Sequence, residues 1–243
     1  MLFAAGGVAV VAQVVSRRRR AARDEVAAEL AGVRRLAEED VVLFGEELMR
    51  LGSRLGDRDI DEDTRVDYQR ALDAYESAQR AAVMLQEPAQ VSTVTDALAT
   101  GRYALACVQA RADGQPLPEL RTPCFFNPQH GPSVTDVEWT TARHGTRLVP
   151  ACARDAARVA ALEKPEVRTV TVDGRQVPYW EAGAAYLPYS AGYFAAGATL
   201  GWAFTPEPSV DPGIGGGHQH PGDHGAGWGG DWGGGFDGGA DSY

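Results

Sequence analysis

Lysine is almost absent from this chain: Lys164 stands alone among 243 residues, and arginine carries nearly all the positive charge. We read that bias as GC-rich coding of the actinobacterial type and not as phosphate recognition. Basic residues are outnumbered overall, for a formal net charge of -10. A nucleic-acid partner is therefore not expected, because a phosphate-binding surface needs a net basic face. The sequence has no CxxC pair, and the glycines of its C-terminal tail neither follow a strand nor open a helix, so nothing there resembles a phosphate-binding loop. Cysteine is sparse: Cys107, Cys124 and Cys152 are widely spaced and odd in number, which is no secreted disulfide framework. It fits a reducing compartment better.

Long apolar runs are also lacking. Leu2 to Val15 carries no charge and then meets Arg17, Arg18, Arg19 and Arg20. Fourteen helical residues span roughly 21 Å, short of a hydrocarbon core of ~30 Å. The charge lies on the wrong side for a signal peptide. Two readings remain: the trailing part of a transmembrane helix that begins before this chain, or a short anchor with snorkelling arginines. Either way the arginine flank places the body on the cytoplasmic side of a cell membrane as a single-pass protein. Ala182 to Pro206 is also free of charge, but it is weakly apolar and holds Pro188 and four glycines, so it reads as an irregular segment.

What is present begins with helical periodicity. Val26, Leu30, Val33, Ala37, Val41, Phe44, Leu48, Leu51 and Leu55 repeat at spacings of three and four. The stripe is long enough for a coiled coil, which makes a homo-oligomer through this first helix an expectation. Asp61 or Asp63 can cap a second helix, whose apolar positions are Tyr68, Leu72, Tyr75, Ala78, Ala82 and Leu85. Ser92 or Thr93 can cap a third, with Val91, Val94, Leu98, Gly101, Leu105, Val108 and Ala112 in register. Gly101 on that stripe lets a neighbour approach closely. Cys107, one position off it, reads as an inert, partly buried thiol. Short connections imply antiparallel neighbours.

After a proline-rich linker the composition changes. Val134 to Trp139 and Thr146 to Val149 read as strands about Arg143-His144-Gly145, and Cys152 to Leu162 as a short helix. Arg168 to Val172 and Arg175 to Tyr179 flank Asp173-Gly174, the strongest hairpin signal in the chain. The fold class is therefore α+β: a mainly helical antiparallel bundle or hairpin, then a small α+β module with a β-hairpin. The expected boundaries are an anchor at 1–16, the bundle at 17–113, the Cys/His module at 121–181, the apolar irregular segment at 182–206 and a disordered Gly/His/Trp tail at 207–243. A module of about sixty residues is marginal alone, and should dock on the helices or carry a staple.

The chemistry concentrates in Pro123-Cys124-Phe125-Phe126-Asn127-Pro128-Gln129-His130-Gly131-Pro132-Ser133 and Val149-Pro150-Ala151-Cys152-Ala153-Arg154-Asp155. Cys124, His130 and Cys152 offer three zinc ligands, with Asp155 or His144 as the fourth. Alternatives are a Cys124–Cys152 disulfide, or the same cysteines packed as small apolar groups. Cys–His nucleophilic catalysis needs an oriented third group, and no signature supports it. His218, His220 and His224 in the tail can bind transition metals weakly.

These two motifs, with Val177-Pro178-Tyr179-Trp180, resemble the cytoplasmic C-terminal half of a group of actinobacterial single-pass membrane proteins. In that group an extracytoplasmic, TPM-like domain precedes a transmembrane helix, an arginine run, helices, this module and a Gly-rich tail. The resemblance implies membrane attachment and architecture, and brings no activity. The expected function is a non-enzymatic, membrane-tethered scaffold or protein-interaction protein. A zinc-binding regulatory module on Cys124, His130 and Cys152 is the alternative, and a hydrolase is third.

Overall fold

The structure is a computed structural model that describes residues 4–194 apart from 57, 142–144 and 173, with side chains from residue 13 onward. It is mostly helical with small antiparallel strand pairs, an α+β fold. Helix α1 runs unbroken over Ala4–Leu55, so Arg17 to Arg20 sit inside a helix and not at its end. Helix α2 spans Glu62–Val83, and α3 spans Val91–Ala112 behind a 3-10 turn at Pro88–Gln90. Strands β1 (Thr135–Thr141) and β2 (Gly145–Ala151) pair antiparallel, with Val137 opposite Val149. Helix α4 is Ala153–Ala160; strands β3 (Thr169–Val172) and β4 (Arg175–Pro178) form the second hairpin, with Val170 opposite Val177. Helix α5, Leu187–Phe194, follows a 3-10 turn at Ala184–Tyr186.

The α1 stripe is buried from Val33 to Leu55, but Val26 at its start is 57% exposed. Side chains 13–29 are exposed throughout, because no other described element reaches that far along α1. On α2 the buried positions are the small ones, Ala71, Ala74, Ala78 and Ala82, while Tyr68, Leu72 and Tyr75 pack at the margin of the core. The tyrosines have a specific seat. A Cβ placed on Gly45 would meet the Tyr75 ring at 2.9 Å, and one on Gly52 would meet the Tyr68 hydroxyl at 2.8 Å. Glycines seven apart on α1 thus receive tyrosines seven apart on α2 in reverse order, as an antiparallel pair requires. Arg111 on α3 pairs with Asp63 and Asp67 on α2, so α3 turns back along α2 in the same manner. Gly101 allows a close approach of all three helices: a Cβ there would stand 2.6 Å from the Phe44 ring and 2.9 Å from Ala74 Cβ.

Asp61 caps α2, its Oδ1 accepting from the Thr64 amide at 2.7 Å. Neither Ser92 nor Thr93 caps α3. The N-cap position is Gln90, which makes no side-chain capping bond to α3; its Oε1 instead closes the start of the preceding 3-10 turn, accepting from the amides of Gln86 (2.7 Å) and Glu87 (3.3 Å). The segment 182–206, expected to be irregular, is helical at 187–194. Pro188 is compatible with that because it falls in the first helical turn, where its missing N–H has no intrahelical partner to lose. Helix α5 buries Tyr189, Tyr193 and Phe194 in the core and packs on α3. The remaining residues of that segment, and the tail at 207–243, lie outside the described residues.

A buried carboxylate joins the parts. Asp40 on α1 is fully buried. Its Oδ2 accepts hydrogen bonds from the hydroxyls of Tyr189 (2.6 Å) and Tyr193 (3.0 Å) on α5. Its Oδ1 accepts from Arg168 Nη2 at 2.9 Å, just before β3, and from Gln129 Nε2 in the module. Arg168 also reaches Glu39 at 2.8 Å. Burial works against charge on Arg168, but Asp40, Tyr189 and Glu39 together outweigh it and raise the guanidinium pKa. Among the described residues no helix is long and apolar enough to cross a membrane.

Removing one partner of a buried ion pair leaves the other uncompensated, so Asp40→Ala is expected to cost about 3–5 kcal/mol. Tyr193→Phe deletes one hydrogen bond and should cost only about 1 kcal/mol. Urea denaturation followed by circular dichroism measures both; equal losses would show that Asp40 is not the centre of the network. Gly101→Val is expected to destabilise by about 1–3 kcal/mol through overpacking against Phe44, read by the same assay.

Candidate metal centre

The first ligand-bearing segment is a closed knuckle. Pro123 and Pro132 bridge antiparallel across its base, and the Cys124 amide donates to the Gly131 carbonyl at 3.0 Å. Asn127 starts a 3-10 turn over Pro128–His130, its side-chain oxygen accepting from the Gln129 amide at 3.1 Å. Gly131 closes the loop at φ +79°, a left-handed conformation that suits a residue without Cβ. This closure swings His130 back over Cys124. The second segment arrives on β2: Phe125 N donates to Pro150 O at 2.8 Å, and the strand ends at Ala151, just before Cys152. Cys152 is the N-cap of α4, its sulfur accepting from the Asp155 amide at 3.5 Å. The first turn of α4 then turns Asp155 inward.

Aromatic side chains surround the knuckle from below. Phe125 stacks on Trp180 at 4.6 Å, and Phe126 meets Trp139 edge-on at 5.0 Å. The Tyr179 hydroxyl donates to the Phe125 carbonyl at 2.8 Å. The Pro-Cys-Phe-Phe sequence therefore alternates function: Cys124 faces the site and the two phenylalanines anchor the loop in the core.

Cys124, His130, Cys152 and Asp155 each present one ligand atom, and these atoms all lie within 4.8 Å of one another. Asp155 Oδ2 is the hub, 2.8 Å from His130 Nδ1, 3.3 Å from Cys124 Sγ and 3.4 Å from Cys152 Sγ. His130 Nδ1 lies 3.5 Å from Cys152 Sγ. The other carboxylate oxygen, Oδ1, is held by the Glu166 amide at 2.9 Å, which fixes the orientation of Oδ2. Nε2 of His130 faces outward, 3.3 Å from Asn127 Nδ2 and 3.6 Å from Glu166 Oε1. All three cysteines are free thiols, so the disulfide alternative is not the state described here.

The electrostatics suit a cation. A hydrogen bond from Cys124 favours the Cys152 thiolate and brings Cys152 down to about 5. The same shared proton, together with burial, pushes Cys124 up. Burial opposes ionisation of Asp155, yet the Glu166 amide, Cys124 and His130 hold its carboxyl below the ordinary value. Burial likewise opposes protonation of His130, but Cys152 and Asp155 raise its pKa. The group can hold a metal ion. It is poorly placed for attack on a substrate: Cys124 and Asp155 are fully buried, and Cys152 is 8% exposed. The adjoining cleft is lined by His130 but by neither cysteine.

The structure thus brings Cys124, His130, Cys152 and Asp155 together. His144, the other candidate fourth ligand, lies outside the described residues, as do His218, His220 and His224. Cys107 is buried on α3, apart from the cluster, with its thiol pKa raised by burial. Asn127 and Glu166 were not singled out in the sequence. The Asn-Pro step signalled a turn around Asn127, whereas nothing marked Glu166, whose role depends on the chain returning past α4. Comparison with protein-family models, curated proteins and solved structures found no match.

For the metal-free chain the signs of the shifts set the pH response. The contribution of Asp155 is present above its ordinary value of 3.8 and is lost as pH falls through its lower folded value. The contribution of protonated His130 is full below 6.5 and is lost as pH rises through its higher folded value. Denaturation in EDTA across pH should show both losses, and Asp155→Asn should remove the acid-side one. An unchanged acid limb in that variant would contradict the assignment.

Proposed function

We propose that this chain is a non-catalytic, membrane-tethered scaffold whose interaction module is stapled by a structural zinc ion on Cys124, His130, Cys152 and Asp155. The observation that carries the reading is the convergence of these four ligand atoms from the knuckle and the α4 N-terminus into one closed site. Two sulfurs, one imidazole nitrogen and one carboxylate oxygen form a donor set that zinc prefers, with no position left open for substrate. Tetrahedral bonds of ~2.0–2.3 Å put donors roughly 3.3–3.8 Å apart, and separations that run from 2.8 Å to within 4.8 Å bracket that range. In the metal-free tautomer Nδ1–H donates to Asp155 and Nε2 accepts from Asn127. Zinc on Nδ1 leaves the ring proton on Nε2, where Glu166 can accept it, as the outer partner of a ligating histidine does.

Support for the scaffold reading is the exposed stretch of α1 at 13–29, the arginine run next to the uncharged Leu2–Val15 segment, and a module joined to the helices through Asp40. The body would then sit on the cytoplasmic face of a membrane and present the bundle and module to protein partners. A Cys–His nucleophile of the hydrolase type is the second reading. It is favoured by the lowered pKa of Cys152 beside His130, and disfavoured by the burial of both thiols.

Elemental analysis with thiol counting tests this directly. Full-length protein purified under reducing conditions without chelator should carry one zinc per chain, with Cys124 and Cys152 unreactive until the metal is stripped. Glu166→Gln is expected to weaken zinc affinity about 10–100-fold. Acidification should release the ion, because imidazole and thiolate must be deprotonated to ligate. Metal-free protein with a rapidly alkylated Cys152 would replace this reading with the nucleophile. Deleting residues 1–20 should move the chain from the membrane to the soluble fraction.

A further inference from the structure

We infer that the cleft between α1, α3 and the knuckle is a binding site for a small oxyanion, a phosphate or carboxylate group. The inference does not depend on the metal reading. The cleft encloses about 500 Å³, and Glu47, Arg50, Arg102, His130, Arg154 and Glu166 are among its lining residues.

Arg102 is the key residue. It is 2% exposed, and its guanidinium cannot shed its charge by deprotonation. It carries five N–H donors. Nη2 makes a long contact to the Asp40 carbonyl at 3.5 Å, while Nε and Nη1 have no hydrogen-bond partner among the described residues. The Phe44 ring centroid lies 5.2 Å from the guanidinium carbon, which contributes cation–π attraction but accepts no N–H. Glu47 Oε2 stands 3.5 Å from Nε, close enough for ion pairing but without hydrogen bonding. Arg168 on the opposite side of the network shows what full compensation looks like, with Asp40 and Glu39 oxygens at 2.9 and 2.8 Å. Donors left unmade on a buried cation are costly, and an acceptor-rich anion entering the cleft would satisfy them.

The rim agrees in sign. Arg50 and Arg154 add positive charge at the mouth. Glu166, the acidic residue beside them, already faces Arg154, Arg158 and His130. Burial raises the Glu47 pKa, so this carboxyl accepts a proton more readily than a free one and opposes an incoming anion less. A locally positive cleft on a chain of net charge -10 selects by contact and not by long-range attraction. Inside it an oxyanion would bridge α1, α3 and α4, of which α1 and α3 are otherwise joined there by the long Glu47–Arg102 ion pair.

Isothermal titration of the full-length chain with inorganic phosphate, and separately with acetate, tests the site at constant ionic strength up to about 20 mM anion. Saturable binding of one anion per chain is expected. Tighter phosphate assigns a phosphoryl group, and acetate of equal or greater affinity assigns a carboxylate. Arg102→Met should abolish binding. Because Arg102→Met removes a buried cation and can unfold the chain, two changes at the cleft wall decide independently: Glu47→Gln is expected to tighten binding about threefold or more, and Arg154→Ala to weaken it by a similar factor. Absence of saturation with both anions, or affinities that neither Glu47→Gln nor Arg154→Ala changes, would overturn the inference.

Discussion

The carboxylate of Asp40 is the constraint around which the described body is arranged. A lone charge in that position would be strongly unfavourable. It is tolerated because two tyrosine hydroxyls, a guanidinium and a glutamine amide converge on it. Each donor comes from a part of the chain that could otherwise pack loosely. The tyrosines fix α5, Arg168 fixes the start of β3, and Gln129 fixes the knuckle. Hydrophobic burial brings α5 and the module against α1, but burial alone is non-directional. The hydrogen-bonding geometry of one carboxylate supplies the direction.

That network also ties the candidate metal centre to the bundle. Gln129 and His130 are adjacent in one 3-10 turn, the first directed to Asp40 and the second to Asp155. The turn therefore has two buried carboxylates as its anchors, one in the bundle and one in the module. A shift of either would be felt at the other through a single peptide unit.

Much of this could be read from the residues. The stripes of α1 and α3, the close approach at Gly101 and the Asp-Gly hairpin follow from periodicity and turn chemistry. The convergence of Cys124, His130 and Cys152 was visible as donor types at suggestive spacing. Asp40 does not stand out in the sequence, because it follows Glu38 and Glu39 in an acidic run. Yet it sits between Ala37 and Phe44 at spacings of three and four, on the buried stripe itself. Arg102 occupies the same kind of position between Leu98 and Leu105. A charged residue in register with an apolar stripe is a signal that a partner must arrive from elsewhere in the chain, although it does not name the partner. Helix α5 was hidden for another reason: its alanine, glycine and tyrosine content has little amphipathic contrast, and Pro188 resembled a breaker when it was a starter.

Helix α1 continues from the body towards the N-terminus without a proline or a break. Its 26 residues from Ala4 to Glu29 make a rod of about 39 Å at 1.5 Å per residue. Such a rod couples distance to azimuth. Taking out one residue between the arginine run and Leu30 would draw the body in by only ~1.5 Å but turn it by ~100° about the helix axis. Taking out seven would shorten the reach by ~10.5 Å and return nearly the same face. The number of residues in this exposed stretch thus sets which side of the bundle is presented as well as how far it stands from the chain's beginning.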